Sequence, residues 1–283
     1  MTRAIDTHAH VISSDTARYP RDPLGGEQSG WSRERPVSFE KMIAAMDEAG
    51  VAKTVLVQAS TCYGHDNSYV ADAVAAHPDR FAGVFSVDVL APDAPERIRH
   101  WAGKLRGMRV FIAGHTAASK DARLDDPRAF PAWQQAVEAG LSICVQMRGT
   151  YAQLDAMLER FPKARVLLDH MGRPSIADGA PYLDAAPLFE LARHKNLFLK
   201  LTTHNVRESR EGKAAPETFF ARVVKEFGAS RIAWGSNYPA SEGTLAVLLA
   251  DAREALASLP KEYQEWIFFR TAKTLYYPAL VDR

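Results

Sequence analysis

The stretch "AIDTHAHVISSD", Ala4–Asp15, holds the chain's first apolar run and the turn that follows it. Ala4–Val11 reads as a buried strand, with His8 and His10 two residues apart and therefore on one side of it. What comes next decides between two folds. A doubly wound open sheet usually carries a glycine-rich turn after an early strand, where the backbone must approach a phosphate. Ile12, Ser13, Ser14 and Asp15 include no glycine. The other way to alternate strands with helices is a closed barrel, and the rest of the chain supplies its units.

Seven further apolar runs follow, each with an amphipathic segment behind it. The strand-like runs are "AKTVLVQAS", "FAGVFSVDV", "GMRVFIAG", "LSICVQMRG", "ARVLLDHMG", "NLFLKLTTH" and "SRIAWGSNYP". Near-continuous apolar strands suit a parallel sheet covered by helices. "SFEKMIAAMDEAG" is typical of the helices between them, with Ser38 as N-cap and Gly50 as stop. Eight strand–helix units predict a (β/α)8 TIM barrel, one domain over residues 1–283, with an additional C-terminal helix "KEYQEWIFFRTAKTLY". The polar stretch 13–37 is long enough for a lid-like loop over the barrel mouth.

Composition narrows the partners. Thirty-five basic against thirty-four acidic residues leave a formal charge of +1, with no global field for nucleic acid or an anionic membrane. No run approaches the ~18 apolar residues of a membrane span. The first residues carry the HxH pattern where a signal peptide would need its apolar core, so the expectation is a cytoplasmic protein. Two cysteines, Cys62 and Cys144, are too few for a disulfide framework, and Cys144 reads as a small core residue. The helix faces are compatible with a homo-oligomer, because buried and interface stripes look alike in sequence.

In a parallel barrel, polar residues at the C-terminal strand ends converge on one mouth. In order these are His8 and His10, Ser60 and Thr61, Asp88, Arg109, Gln146 and Arg148, Asp169 and His170, Lys200, Thr202 and His204, and Ser236 and Asn237. Taken singly, Asp88 or Thr202 is better read as a strand-end hydrogen bonder, and His204 is equally a loop residue facing solvent. His77, His100, His115 and His194 fall on helix surfaces or loops and receive no role. Trp234 and Tyr238 read as packing residues of the rim. Three imidazoles, at 8, 10 and 170, arriving at one mouth are poorly explained by packing.

"IDTHAHV", "LVQASTCYGHDN", "VLLDHMGRP", "NLFLKLT" and "IAWGSNYP" together resemble the amidohydrolase superfamily, in its amidohydrolase-related (type 2) branch. The nearest likeness is to the 2-pyrone-4,6-dicarboxylate lactonase group of aromatic-compound catabolism, and it spans nearly the whole chain. The resemblance implies a barrel hydrolase, a lactonase, in which water attacks the carbonyl of a small anionic substrate. It makes His8, His10 and His170 the residues around that carbonyl, or the ligands of a single Zn or Mn ion. Arg109 corresponds to an arginine that binds a substrate carboxylate, and Arg148, Arg173 and Arg207 are further candidates for that grip. Ser60, Thr61 and Tyr63 lie on the loop where the lactonase group contacts substrate, although local turn bonding accounts equally well for any one of them.

The chain departs from the family pattern twice. Metal-binding members carry a lysine or histidine ligand after strand five, where this chain has Gln146, a neutral amide and a poor partner for a divalent ion. The metal-free arrangement is therefore favoured. At strand eight, Asn237 occupies the place of the aspartate that deprotonates water. An amide can hold water but cannot take its proton near neutral pH. Three accounts fit: a substitution made to trap substrate, a natural subgroup whose base is His170, His10 or His8, or a pocket that binds ligand without turnover. A metal-assisted decarboxylase or hydratase is the alternative enzyme on the same barrel.

Overall fold

The computed structural model describes residues 3–111 and 122–277. Eight parallel strands follow one another around a barrel: β1 Ala4–Ala9, β2 Val51–Val57, β3 Phe81–Ser86, β4 Gly107–Phe111, β5 Ser142–Gln146, β6 Arg165–Leu168, β7 Leu197–Thr202 and β8 Ile232–Gly235. The ring closes between β8 and β1 through a parallel bridge from Ala9 to Tyr238. His10 N–H donates to the Tyr238 carbonyl, and Asn237 N–H to that of His8. Asp6 strengthens the seam, its carboxylate accepting from the backbone N–H groups of His8 and Ser236 and from the Ser236 hydroxyl.

The strands are shorter than the apolar runs suggest, because each run ends in the turn that bears its polar residues. β6 stops at Leu168, and Asp169–Gly172 is a tight turn. His204 lies past the end of β7, in the helix Thr203–Glu208, rather than in a solvent-facing loop. The segment 13–37 contains a short helix, Gly30–Glu34, so it is not wholly loop. The helix Phe39–Ala49 forms as expected: the Ser38 hydroxyl accepts from Lys41 N–H, and Gly50 turns left-handed at φ 68°. The last helical stretch runs from Lys261 to Tyr276 with a π-helical segment at Trp266–Arg270.

Most of the core lies between strands and helices. A smaller apolar cluster fills the barrel itself, where Val55, Val57, Ala82, Val84, Cys144 and Leu167 meet Leu275 and Tyr276 of the final helix. That helix therefore plugs the floor of the barrel. Two residues further along several strands the interior turns polar, as strand periodicity of two requires: Leu167 is followed by Asp169 and Cys144 by Gln146.

Candidate active site

Three imidazoles stand together at the mouth. The His8 ring centroid is 5.1 Å from that of His10 and 4.7 Å from that of His170. His204 extends the row, 5.1 Å from His170. His10 packs on its other side against Trp31 of the covering segment, at 5.2 Å. Burial sets the charge of all four. It holds His10 and His170 well below the usual imidazole range. His8 lies near 4 through burial and the neighbouring Lys200, and His204 near 4 through burial and Arg173, Arg207 and Arg148. Near neutral pH these rings are uncharged.

The backbone works to place His170. It has φ 54°, Met171 55° and Arg173 52°, with Gly172 at 69° between them. Left-handed conformations cost an L-residue roughly 1–2 kcal/mol each, so the turn is sustained by its surroundings. Asn205 Nδ2 donates to the His170 carbonyl at 2.8 Å, and Met171 is fully buried. Asn237 is also left-handed, at φ 57°. Its Nδ2 donates to His204 Nε2 at 3.3 Å and to Ser241 Oγ at 3.0 Å.

Beneath the imidazoles lies a buried ionic layer. Asp169 is 3.0 Å from Lys200 Nζ and 3.4 Å from Arg109 Nε. Burial alone would raise the Asp169 carboxyl; Lys200, His8 and Arg109 reverse this and hold it well below the carboxylate range. Lys200 stays protonated, its pKa raised by Asp169 and Cys144 in spite of burial. Arg109 also donates to the Gln58 carbonyl and to Gln146 Oε1, both at 3.2 Å, and its guanidinium lies 4.8 Å from the Phe111 ring.

The remaining candidates sort by position. Arg148, Arg173 and Arg207 gather around His204. Arg173 pairs with Glu208, Arg207 donates to the Glu242 carbonyl, and Arg148 is exposed. Tyr63 and Thr61 tether the covering segment: the Tyr63 hydroxyl accepts from Arg21 and from Ser13 N–H, while Thr61 donates to Ser29. The Ser60 hydroxyl is buried without a partner among the described residues. Asp88 is a strand-end hydrogen bonder, accepting from Leu90 N–H. His115 lies outside the described residues.

His65, for which the sequence predicts no role, has Nδ1 3.0 Å from Ser86 Oγ at the end of β3. Lys200 and Asp169 are likewise functional-site residues without a role predicted from sequence. Two charged residues inside strands as apolar as "LFLKLT" and "VLLDH" were the available signal, because such groups are buried only when paired.

The family whose description reads amidohydrolase matches residues 5–277. An L-fucono-1,5-lactonase from Burkholderia ambifaria is 30% identical over 85% of this chain and 82% of its own length. A 2-pyrone-4,6-dicarboxylate hydrolase from Comamonas testosteroni is 26% identical over 83% of this chain and 76% of its own. An amidohydrolase from Burkholderia multivorans, solved with bound zinc, superposes with TM-score 0.76 at 20% identity, covering 97% of this chain and 99% of that one. With an eight-stranded barrel, histidines on the first and sixth strand ends, and a match over almost its full length, this chain belongs to the amidohydrolase family.

Proposed function

We propose that the protein hydrolyses a small anionic lactone, with water attacking a carbonyl held among His8, His10 and His170. The observation carrying this reading is that the neutral His8 imidazole lies 5.1 Å from His10 of its own strand end and 4.7 Å from His170 of a distant one, at the barrel mouth. His170 takes the water's proton as the new C–O bond forms. His8, whose buried Nε2 has no partner among the described residues, faces the oxygen that becomes negative. The ring C–O bond then breaks and His170 returns its proton to the leaving oxygen, giving a hydroxy acid. Asn237 orients the water through its amide oxygen. Arginines 148, 173 and 207 supply positive charge on the rim for the substrate's acid group.

A divalent ion does not suit these residues. The imidazoles bring no anionic ligand, Gln146 is bonded to Arg109, and Asp169 is matched to Lys200 and Arg109. A dication there would face two fixed cations and one anion. Among the described residues, the trio of ligating atoms drawn within 4.8 Å of one another is Asp155, Glu159 and His194, away from the mouth and bridged by Arg193.

A second reading, a neutral sugar lactone, is favoured by Arg109. Its guanidinium is already matched by Asp169, Gln58 and Gln146, leaving less of it for a substrate carboxylate. The deciding experiment assays 2-pyrone-4,6-dicarboxylate, muconolactone and L-fucono-1,5-lactone side by side, with metal content measured by elemental analysis. Hydrolysis of the acidic lactones that survives chelation and disappears in His170→Ala is expected. Turnover of the sugar lactone alone would establish the second reading, and loss of activity on chelation would overturn the metal-free mechanism.

A further inference from the structure

The three mouth imidazoles are not equivalent, and the atoms behind them say why. His10 Nδ1 is 2.8 Å from the Val57 carbonyl, which can only accept. His10 therefore carries its proton on Nδ1 and offers a lone pair from Nε2. His170 is fixed the same way by a longer chain. Asn205 is oriented by two contacts, its Nδ2 donating to the His170 carbonyl and its Oδ1 accepting from Thr202 N–H. That Oδ1 also accepts from the Thr202 hydroxyl at 3.4 Å. The Thr202 oxygen is then an acceptor for His170 Nδ1–H at 2.8 Å, and His170 Nε2 is free to accept.

His8 is held the opposite way. Its Nδ1 is 3.4 Å from Lys200 Nζ, and an ammonium can only donate. The Asp169 oxygen, at 3.6 Å, is further away and is itself engaged by the same ammonium at 3.0 Å. His8 Nε2 is buried with no partner among the described residues.

We infer that Lys200 is a positioning residue: its ammonium occupies the Nδ1 lone pair of His8, so that His8 presents Nε2–H to the substrate while His10 and His170 present lone pairs. The strand-one pair is thereby divided into one donor and one acceptor. Lys200, anchored by Asp169, never touches the substrate. Its charge makes a neutral imidazole act as a hydrogen-bond donor to an oxyanion. The catalytic consequence rests on the lactone-hydrolase reading; the proton positions do not.

The test is long-range 1H–15N NMR on the full chain with 15N-labelled histidine at pH 7.5, its signals assigned through single histidine replacements. Protonated Nε2 at His8 together with protonated Nδ1 at His10 and His170 is expected. Finding His8 protonated on Nδ1 overturns the inference without any change at Lys200. In Lys200→Met, His8 should move its proton to Nδ1, facing Asp169. The kcat for 2-pyrone-4,6-dicarboxylate should then fall by about 10²–10³-fold, the loss typical of one oxyanion donor, with KM little altered. A His8 tautomer unchanged in Lys200→Met would also overturn it. Should that variant not fold, the spectrum of the unaltered chain decides. Should no lactone be turned over, the NMR pattern still stands or falls alone, which separates failure of this inference from failure of the proposed reaction.

Discussion

Asn237 is the residue on which the chemistry turns. Its left-handed backbone, at φ 57°, is one that asparagine and aspartate tolerate better than other side chains. Asn237→Asp should therefore fold without new strain, and the His204 ring and the Ser241 hydroxyl beside it can both donate to a carboxylate. With His170 as the base, this substitution should change kcat less than about tenfold, whereas His170→Gln should lower it by roughly 10²–10⁴-fold, the usual worth of a general base. Steady-state kinetics on an acidic lactone checks both. A hundredfold gain in Asn237→Asp would mean that the site lacks its base. His8, His10 and His170 were legible in the sequence because strand parity and strand-end position both follow from local pattern. The roles of Lys200 and Asp169 were not, since the partners that give a buried charge its meaning, Lys200, Asp169, Arg109 and His8, come from four different strand ends.

Among the elements, the covering segment shows the limits of local pattern most clearly. Residues 13–37 lack periodicity, and their order comes from what they touch. Asp22 N–H donates to the Cys62 carbonyl, Leu24 N–H to that of Ser60, and Ser29 N–H to that of Thr61. Arg21 holds the Tyr63 hydroxyl and the Ser13 carbonyl. This is a fixed cover, laced to the turn after β2, with Trp31 set against His10. Gly64 makes the lacing feasible: it has φ 56°, and a Cβ there would lie 2.5 Å from the Asp22 carbonyl oxygen. Gly64→Ala should thus cost about 1–3 kcal/mol from backbone strain alone, and more from the clash. Faster proteolysis within 13–37 and a lower kcat/KM are expected, with the histidine NMR signals of the barrel retained. Unchanged protection of the segment would refute the role given to Gly64. By contrast, the helix Phe39–Ala49 was fully legible, because Ser38 and Gly50 act through bonds to their own neighbours.

At the scale of the molecule, an apolar floor plugged by Leu275 and Tyr276 carries an ionic layer, and that layer carries neutral imidazoles. The number of strands and their order followed from the alternation of apolar runs, whereas the floor plug depends on where the last helix docks, which no local pattern encodes. The stacking has a thermodynamic signature. In the unfolded chain a histidine takes up its proton near pH 6.5, but in the folded protein burial holds His8 and His204 near 4 and His10 and His170 well below the usual value. Between those limits the unfolded state binds more protons, so stability is complete above about pH 6.5 and is lost as pH falls toward 4. Each such histidine contributes a slope of at most about 1.4 kcal/mol per pH unit in that window. Asp169, with its carboxyl depressed, adds stability that is lost as pH falls through and below the ordinary carboxylate range, so it enters only at the acid end of that window. Urea midpoints measured from pH 7.5 to 4.5 should stay level to about 6.5 and then decline, with a shallower decline in His204→Gln. A midpoint that holds steady down to pH 5 would mean that these rings are protonated in the folded protein, and neither a neutral base at His170 nor a lone pair at His10 could then operate.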